Sequence, residues 1–402
     1  MLNGNASSLK GFDIVCLGTV KWLVVRSVAE HTMMRLAKKN RVLFVEPFHS
    51  FSTLVRVARW QKRGWQTNWG VRKVEENLWV YSPPPIGAPG TSRLRWPAVV
   101  NGWILNHLLT RVIRELGFHN PLIWTFLYDS APVVRRLKPR LSIYECIDLD
   151  EGLANSDHQR RLVHEREQAL CREADIVFGV TEGLANSRRA FNPNTFEVNC
   201  AADTEYFGRA LHDTTEVPSD LVCLSKPIVG YMGGVDPWKM DIELLQTIAR
   251  THPSWSIALV GYVWFGFDPT PLQAFPNIHV LGAKHYEDFP GYLKGMDVCI
   301  MPFPLNEITR NGDALKCYEY LAAGKPVVST PVPAAQRFPG IVKIASTPEA
   351  FVSAIEESLR EDASAVDRRL AAVQSHSWEH RIEQKSRLIH ERLRETRDKT
   401  RL

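Results

Sequence analysis

The residues best suited to chemistry fall in one stretch, Pro302 to Thr330. An apolar run, Val298 to Met301, breaks at Pro302 into a polar loop, and the pattern predicts a helix that opens near Asp313 and ends at Gly324. A loop that follows a buried strand and feeds a helix presents unpaired N–H groups and a positive dipole end to an anion. Lys316 falls in the first turn of that helix and Glu319 one turn further on. A cation suits phosphate and a carboxylate suits sugar hydroxyls, so the pair points to a nucleotide-diphosphate site. Arg310 and Asn311 precede them in the loop, Arg310 as a second cation.

Other candidates lie at the ends of predicted strands. Gly230-Tyr231-Met232-Gly233-Gly234 does not match GxGxxG, which argues against a nicotinamide enzyme, yet Gly233 and Gly234 allow close approach of a phosphate, and Lys239 follows. A tight turn with a solvated lysine is the plainer reading. Gly261 and Gly282 end the next two strands; Val263, Trp264 and Phe265 after the first, and His285 and Tyr286 after the second, could wall a nucleotide base. In the first half, Tyr144-Glu145-Cys146-Ile147-Asp148-Leu149-Asp150 follows a strand. Asp148 there suits a general base toward an acceptor hydroxyl. Asp148-Leu149-Asp150 is formally a DxD, but three residues match by chance often and the doubly wound pattern argues against a metal, so none is expected. Tyr128 and Asp129 are reserve candidates, and Gly18 to Trp22, with Arg26, forms a loop that could meet acceptor or phosphates.

Short apolar runs alternating with helical stretches position these residues and predict parallel sheets with crossover helices. Strands are expected at Asp13–Leu17, Val42–Val45, Leu78–Tyr81, Leu122–Phe126, Ser142–Glu145, Ile176–Val180 and Phe196–Val198, then at Ile228–Tyr231, Ser256–Val260, Ile278–Leu281, Val298–Met301 and Val327–Ser329. Helices are expected at 26–39, 98–116, 158–173 and 181–190, then at 241–251, 287–295, 313–323 and 348–361. The expected architecture is two doubly wound, Rossmann-like α/β domains facing across a cleft, with ligands at the carboxyl ends of the strands. The first domain spans 1–205 and the second 206–377, and a charged helix over 378–402 returns to the first.

At 402 residues, 45% hydrophobic and 23% charged, the chain is globular and long enough for two cores. It has no uncharged apolar run of membrane-spanning length. Its polar start, followed by a strand interrupted at Lys21, makes a poor signal peptide. Seven well-separated cysteines fit a reducing, cytoplasmic setting. The net charge of +5 conceals an asymmetry: residues 1–140 carry 21 Lys/Arg and 7 Asp/Glu, net +14, and the rest is net −9. An anionic membrane surface is the expected partner of the basic half rather than nucleic acid. Phe51 to Trp65 adds an apolar stripe (Phe51, Leu54, Val55, Ala58) opposite Arg56, Arg59, Lys62 and Arg63, the pattern of an interfacial helix.

Lys316 to Val328 resembles the K..EYLA.GKPVV signature of the GT-B glycosyltransferases with a family 4-like (group 1) C-terminal domain, as found in bacterial polysaccharide biosynthesis. Asn199 to Phe207 is similar to their interdomain segment, Ala174 to Val177 to their aDxV, and Ile228 to Lys239 to the opening of their donor domain. The resemblance implies a GT-B fold and a nucleotide-diphosphate sugar donor, a UDP-sugar favoured, on the C-terminal domain. It also implies an acceptor on the N-terminal domain, a glycan or polyprenyl-diphosphate-linked sugar, and no metal or cofactor. Glu319 would hold the ribose and Lys316 the diphosphate. Retaining members carry a glutamate at the position of Asn311, and the arginine usual before Lys239 is replaced by Gly234. A weaker resemblance to the xanthan-type glucuronosyltransferase, inverting and membrane-associated, matches Asp148 and Lys316. The expectation is thus an inverting glycosyltransferase, peripheral on the inner face of the cell membrane. A nucleotide-sugar epimerase of the same fold and a non-catalytic scaffold of a polysaccharide assembly are the alternatives.

Overall fold

Most apolar runs expected as strands become buried strands, and nearly all of the strands pair in parallel. In the computed structural model, residues 8–22, 26–53, 69–91, 93–264 and 267–399 are described. The chain divides into two units, residues 1–199 with 381–402, and residues 200–380.

The first unit is built on eight strands: β1 (Asp13–Leu17), β2 (Arg41–Val45), β3 (Gly70–Glu75), β4 (Leu78–Ser82), β5 (Leu122–Thr125), β6 (Leu141–Cys146), β7 (Ile176–Gly179) and β8 (Thr195–Glu197). Their order is β3-β4-β2-β1-β5-β6-β7-β8, parallel except for the β3–β4 hairpin. β3 is absent from the strands expected on sequence. Its residues alternate half-buried and exposed, with Arg72 and Lys73 among them, so this edge strand carries no continuous apolar run. The crossover helices are α1 (Val28–Ala37), α2 (Trp96–Glu115), α3 (Ala131–Leu137), α4 (Asp157–Glu173) and α5 (Glu182–Arg189). Ser27 and Glu30 form a capping box on α1, and Ser156 and Thr181 cap α4 and α5. α2 starts two residues before the sequence expectation because Pro97 fits the first turn of a helix.

The second unit holds six parallel strands: β9 (Ile228–Met232), β10 (Ser256–Val260), β11 (Ile278–Gly282), β12 (Val298–Met301), β13 (Val327–Ser329) and β14 (Lys343–Ile344), ordered β11-β10-β9-β12-β13-β14. The order reverses between β9 and β12, so the carboxyl ends of these two strands form the switch point at which such sheets bind ligands. The helices that matter below are α6 (Thr204–Gly208), α7 (Ile242–Thr251), α8 (Phe289–Gly295), α9 (Glu307–Asn311), α10 (Leu315–Ala322), α11 (Pro348–Leu359) and α12 (Ser364–Val373).

Cys200 to Glu205, placed with the first domain on sequence, belong to the second unit. Cys200 N donates to Asp313 Oδ2 at 2.7 Å, and Asp203 caps α6. The last helix, α13 (Trp378–Lys399), buries Ile389 and Leu393, and its residues from Arg381 onward pack with the first unit. Of the Phe51 to Trp65 segment, residues 54–65 lie outside the described residues, as does Phe265. Among the described residues no helix is long and apolar enough to cross a membrane.

Candidate functional site

The turns after β9, β10 and β11 lean on one another. Gly233 N donates to Val260 O and Gly261 N to Gly282 O, each at 2.9 Å. Gly261 sits at φ +155°, and a Cβ there would stand 1.8 Å from Gly233 O. Gly233 sits at φ +145°, and its Cβ would fall 2.9 Å from Lys316 Cε and Nζ. These two positions need glycine because backbone meets backbone at one and the lysine at the other. Gly234 lies against Tyr262, whose ring would be 3.0 Å from an added Cβ. Gly282, at φ +73°, has open space beside it and is the peripheral member.

Lys316 extends from the first turn of α10 into this glycine-lined corner. Its Nζ donates to Tyr231 Oη at 3.2 Å and lies 4.7 Å and 4.8 Å from the ring centroids of Tyr231 and Phe303. Burial, followed by the charge of Lys239, pushes its pKa down to about 8. Glu319 is pushed up to about 7 by burial, against the pull of Lys316. Both groups therefore titrate near neutrality, poised to gain from an incoming ligand. A diphosphate would restore full charge to the lysine, and sugar hydroxyls would donate to the carboxylate. Asp236, not singled out on sequence, shapes the corner as well. Its Oδ1 accepts from Trp238 N at 3.0 Å and Lys239 N at 2.8 Å, and its charge acts on Lys316. An Asp two and three residues before the N–H groups it caps, ahead of a lysine, is the local signal that could have shown it.

The sequence expectation of a single helix opening at Asp313 is corrected. Two helices stand there, α9 and α10, separated by Gly312 to Ala314. The Asp313 side chain is buried and accepts from Tyr318 Oη at 3.0 Å and from Cys200 N at 2.7 Å, so it is a structural tie. The cap residue of α10 is Ala314, which supplies no side-chain bond, so the N-terminal amides of the helix have no side-chain acceptor at the cap. Arg310 is exposed and its Nε turns back onto Leu305 O at 3.2 Å. Asn311 Nδ2 donates to Glu307 O at 2.8 Å.

Tyr262, Val263 and Trp264 are exposed after β10, and Trp264 meets Trp238 edge-to-face at 5.9 Å. These rings form an exposed aromatic edge beside the β10 turn, supplied partly by Trp238. Tyr286 instead stacks on Tyr206 at 4.6 Å, which makes it a packing residue, and His285 is exposed.

In the first unit, the carboxyl ends of β5 and β6 bring Asp129, Asp148 and Asp150 into electrostatic reach of one another. Asp150 is pushed up to about 8 by burial and by Asp148, Glu167 and Asp129. Burial raises Asp129 as well, against the Arg166 charge. Beneath them a buried pair, Arg188 Nη2 to Glu167 Oε1 at 2.7 Å, also takes the Tyr144 hydroxyl at 2.7 Å. Asp148 is half-buried at the start of this loop, and its carbonyl accepts from Cys146 Sγ at 3.4 Å.

Residues 226–361 match the family described as Glycosyl transferases group 1. The fold is that of sucrose-phosphate synthase from Thermosynechococcus elongatus, with TM-score 0.71 and 17% identity over 94% of this chain and 98% of that one. The trehalose-phosphate synthase of Burkholderia multivorans superposes with TM-score 0.66 at 12% identity, over 98% and 100% of the two chains. The E. coli trehalose-6-phosphate structure bound with UDP-2-fluoro glucose also has TM-score 0.66 at 12% identity, over 95% and 99%. The chain therefore has the GT-B fold. Its second unit carries a group 1 glycosyl transferase domain, and Lys316, Glu319 and the glycine turns lie within it. Among curated proteins the chain is 25% identical over 214 residues to a Bacillus subtilis protein named as the teichuronic acid biosynthesis glycosyltransferase TuaH. That match spans 48% of this chain and about half, 51%, of the relative.

Proposed function

We propose that this chain is a glycosyltransferase of polysaccharide biosynthesis, moving a hexosyl group from a nucleotide-diphosphate sugar to a glycan acceptor. The observation that carries this reading is Lys316, held beside Gly233 and one helical turn from Glu319 at the sheet's switch point. The lysine and the amino end of α10 stabilise the diphosphate as it departs, where negative charge develops in the transition state. Because these groups supply the positive charge, the reaction is metal-independent. Glu319 takes the ribose hydroxyls, and Trp264 with Trp238 offers a face to the base. A UDP-sugar is the favoured donor, since a GT-B relative of the same fold was captured with UDP-2-fluoro glucose.

The first unit binds the acceptor, lipid-linked and met at an anionic membrane surface on the cytoplasmic side. Asp148 takes the proton from the acceptor hydroxyl while the new bond forms at the anomeric carbon and the bond to diphosphate breaks, inverting the configuration. Two features support Asp148 in this role. Its neighbour Asp150 is pushed up to about 8 by burial and nearby carboxylates, so it is mostly protonated at neutrality. Position 311 carries an amide rather than a carboxylate.

A thermal-shift panel of UDP-, GDP- and dTDP-sugars tests the reading, because a ligand that binds only the folded state raises its Tm. One nucleotide class stabilising the wild type but not Lys316→Ala is the expected outcome. No stabilisation by any of them, or equal stabilisation of the variant, overturns it.

A further inference from the structure

Among the described residues, helix α2 presents an exposed apolar face. Trp96, Val99, Val100 and Trp103 are 58%, 54%, 38% and 59% exposed, and they recur at the spacing that aligns one side of a helix. The opposite side is spoken for: Leu105, Leu109 and Val112 are buried, and Gly102 packs so closely on Pro132 that an added Cβ would stand 2.8 Å away. The exposed stripe continues beyond the helix. Asn101 donates to Ala88 O at 3.1 Å and accepts from Ala88 N at 2.6 Å, which brings in the loop carrying Ile86, 57% exposed. Ile86 bridges Ser50, next to Phe51, which is 69% exposed. Leu94, 50% exposed, flanks the start of the helix. Large apolar side chains gathered over one surface in this way mark an interaction site.

The charges around the stripe identify its occupant. Residues 96–110 contain no Asp, Glu, Lys or Arg, so the stripe can enter an apolar phase without stripping water from a charge. Its rim is basic, with Arg93, Arg95 and Arg166 at the amino end. Arg166 donates to Leu94 O, and Arg95 pairs with the exposed Glu165. The sequence of residues 1–140, which contains the stripe, carries a net charge of +14. A second copy of the chain would set this basic rim against itself, whereas an anionic bilayer complements it. Tryptophan favours the headgroup zone, and this helix is not apolar enough to cross a membrane.

We infer that the Trp96–Trp103 face of α2, continued by Ile86 and Phe51, is the surface by which the first unit docks on an anionic lipid bilayer. The inference rests on the membrane-facing half of the proposed function and gives it a location.

The test uses the full chain with Val99→Cys in a Cys223→Ser background, Cys223 being the exposed cysteine among the seven. The new thiol is labelled with an environment-sensitive dye, and a Thr251→Cys label in the second unit is the control. With vesicles of phosphatidylglycerol and phosphatidylcholine in equal parts, the dye at 99 shifts to the blue and the chain floats; the control dye does not shift. Trp96→Gln with Trp103→Gln weakens flotation by at least about tenfold, while the nucleotide-sugar thermal shift stays at its wild-type value. Unchanged flotation in this double variant, or no shift at 99, overturns the inference. So does a concentration-dependent dimer, without vesicles, that the double variant abolishes. Because donor binding is read separately, failure of the docking surface and failure of the proposed activity are distinguishable.

Discussion

Lys385 Nζ lies 2.5 Å from Glu145 Oε1, across 240 positions of sequence, and their side chains are 2% and 1% exposed. Trp124 Nε1 donates to the other carboxylate oxygen at 2.9 Å. The pair pins α13 to β6, the strand that leads directly into Asp148 and Asp150. A buried pair contributes little net stability when whole, but losing one partner strands a charge in a poorly solvated site. Lys385→Met should therefore lower unfolding stability by about 3–5 kcal/mol in urea titration. The double variant with Glu145→Gln should recover part of that loss. An unchanged midpoint for the single variant would show that the pair does not hold the helix.

Lys316 carries its proton only below about pH 8 in the free protein. Nucleotide affinity measured by calorimetry should fall as pH rises through that value, by up to about tenfold per pH unit above it. Lys316→Ala should weaken binding roughly 10- to 100-fold, the worth of a charge-assisted hydrogen bond, and should flatten this pH dependence.

The charge of Glu319 costs the folded state stability. Its folded pKa, about 7, exceeds its unfolded value near 4.5, so the folded state binds the extra proton between those limits. The stability this group contributes is fully present below the lower value and is lost as pH rises through about 7. Glu319→Gln should thus gain Tm relative to wild type from pH 4.5 upward, reaching a plateau above 7, while losing nucleotide-sugar affinity. A variant less stable than wild type at pH 8 would contradict the assignment.

Asp150 follows the same sign, with its stabilising proton lost as pH rises through about 8. Asp150→Asn should raise Tm relative to wild type at pH 9 and keep turnover within about tenfold. Asp148→Asn should fold normally and lose about 10²- to 10⁴-fold in kcat, the usual worth of a general base. If the two variants exchange these phenotypes in a donor-consumption assay, the base is Asp150.

Gly261 and Gly282 both have positive φ yet should differ sharply. Gly261→Ala places a methyl 1.8 Å from Gly233 O and should abolish nucleotide binding through displacement of the first turn. Gly282→Ala meets nothing within 4 Å and should cost only about 1 kcal/mol of backbone strain. Thermal melts with and without nucleotide separate the two.

Much of this molecule is determined by the sequence alone. Hydrophobic runs bounded by Gly, Pro and Asp define twelve of the strands at their places, because a strand buried on both faces must be locally continuous in apolar residues. The same logic sets Lys316 and Glu319 one turn apart on a helix beside a strand end. β3 and the two-residue β14 escaped it, since an edge strand needs only one buried face. Tertiary structure decided what each side chain does. Asp313 looks like a helix opener in sequence but is drawn off by Tyr318 and Cys200; Tyr286 is taken up by Tyr206; Asp236 enters the lysine's corner through a turn. The near-neutral titration of Lys316, Glu319 and Asp150 comes from desolvation by distant segments. The exposure of Trp96 and Trp103 depends on which side of α2 the rest of the first unit happens to cover. Local periodicity is written in neighbouring residues, whereas burial and charge partnership depend on residues brought together from far along the chain.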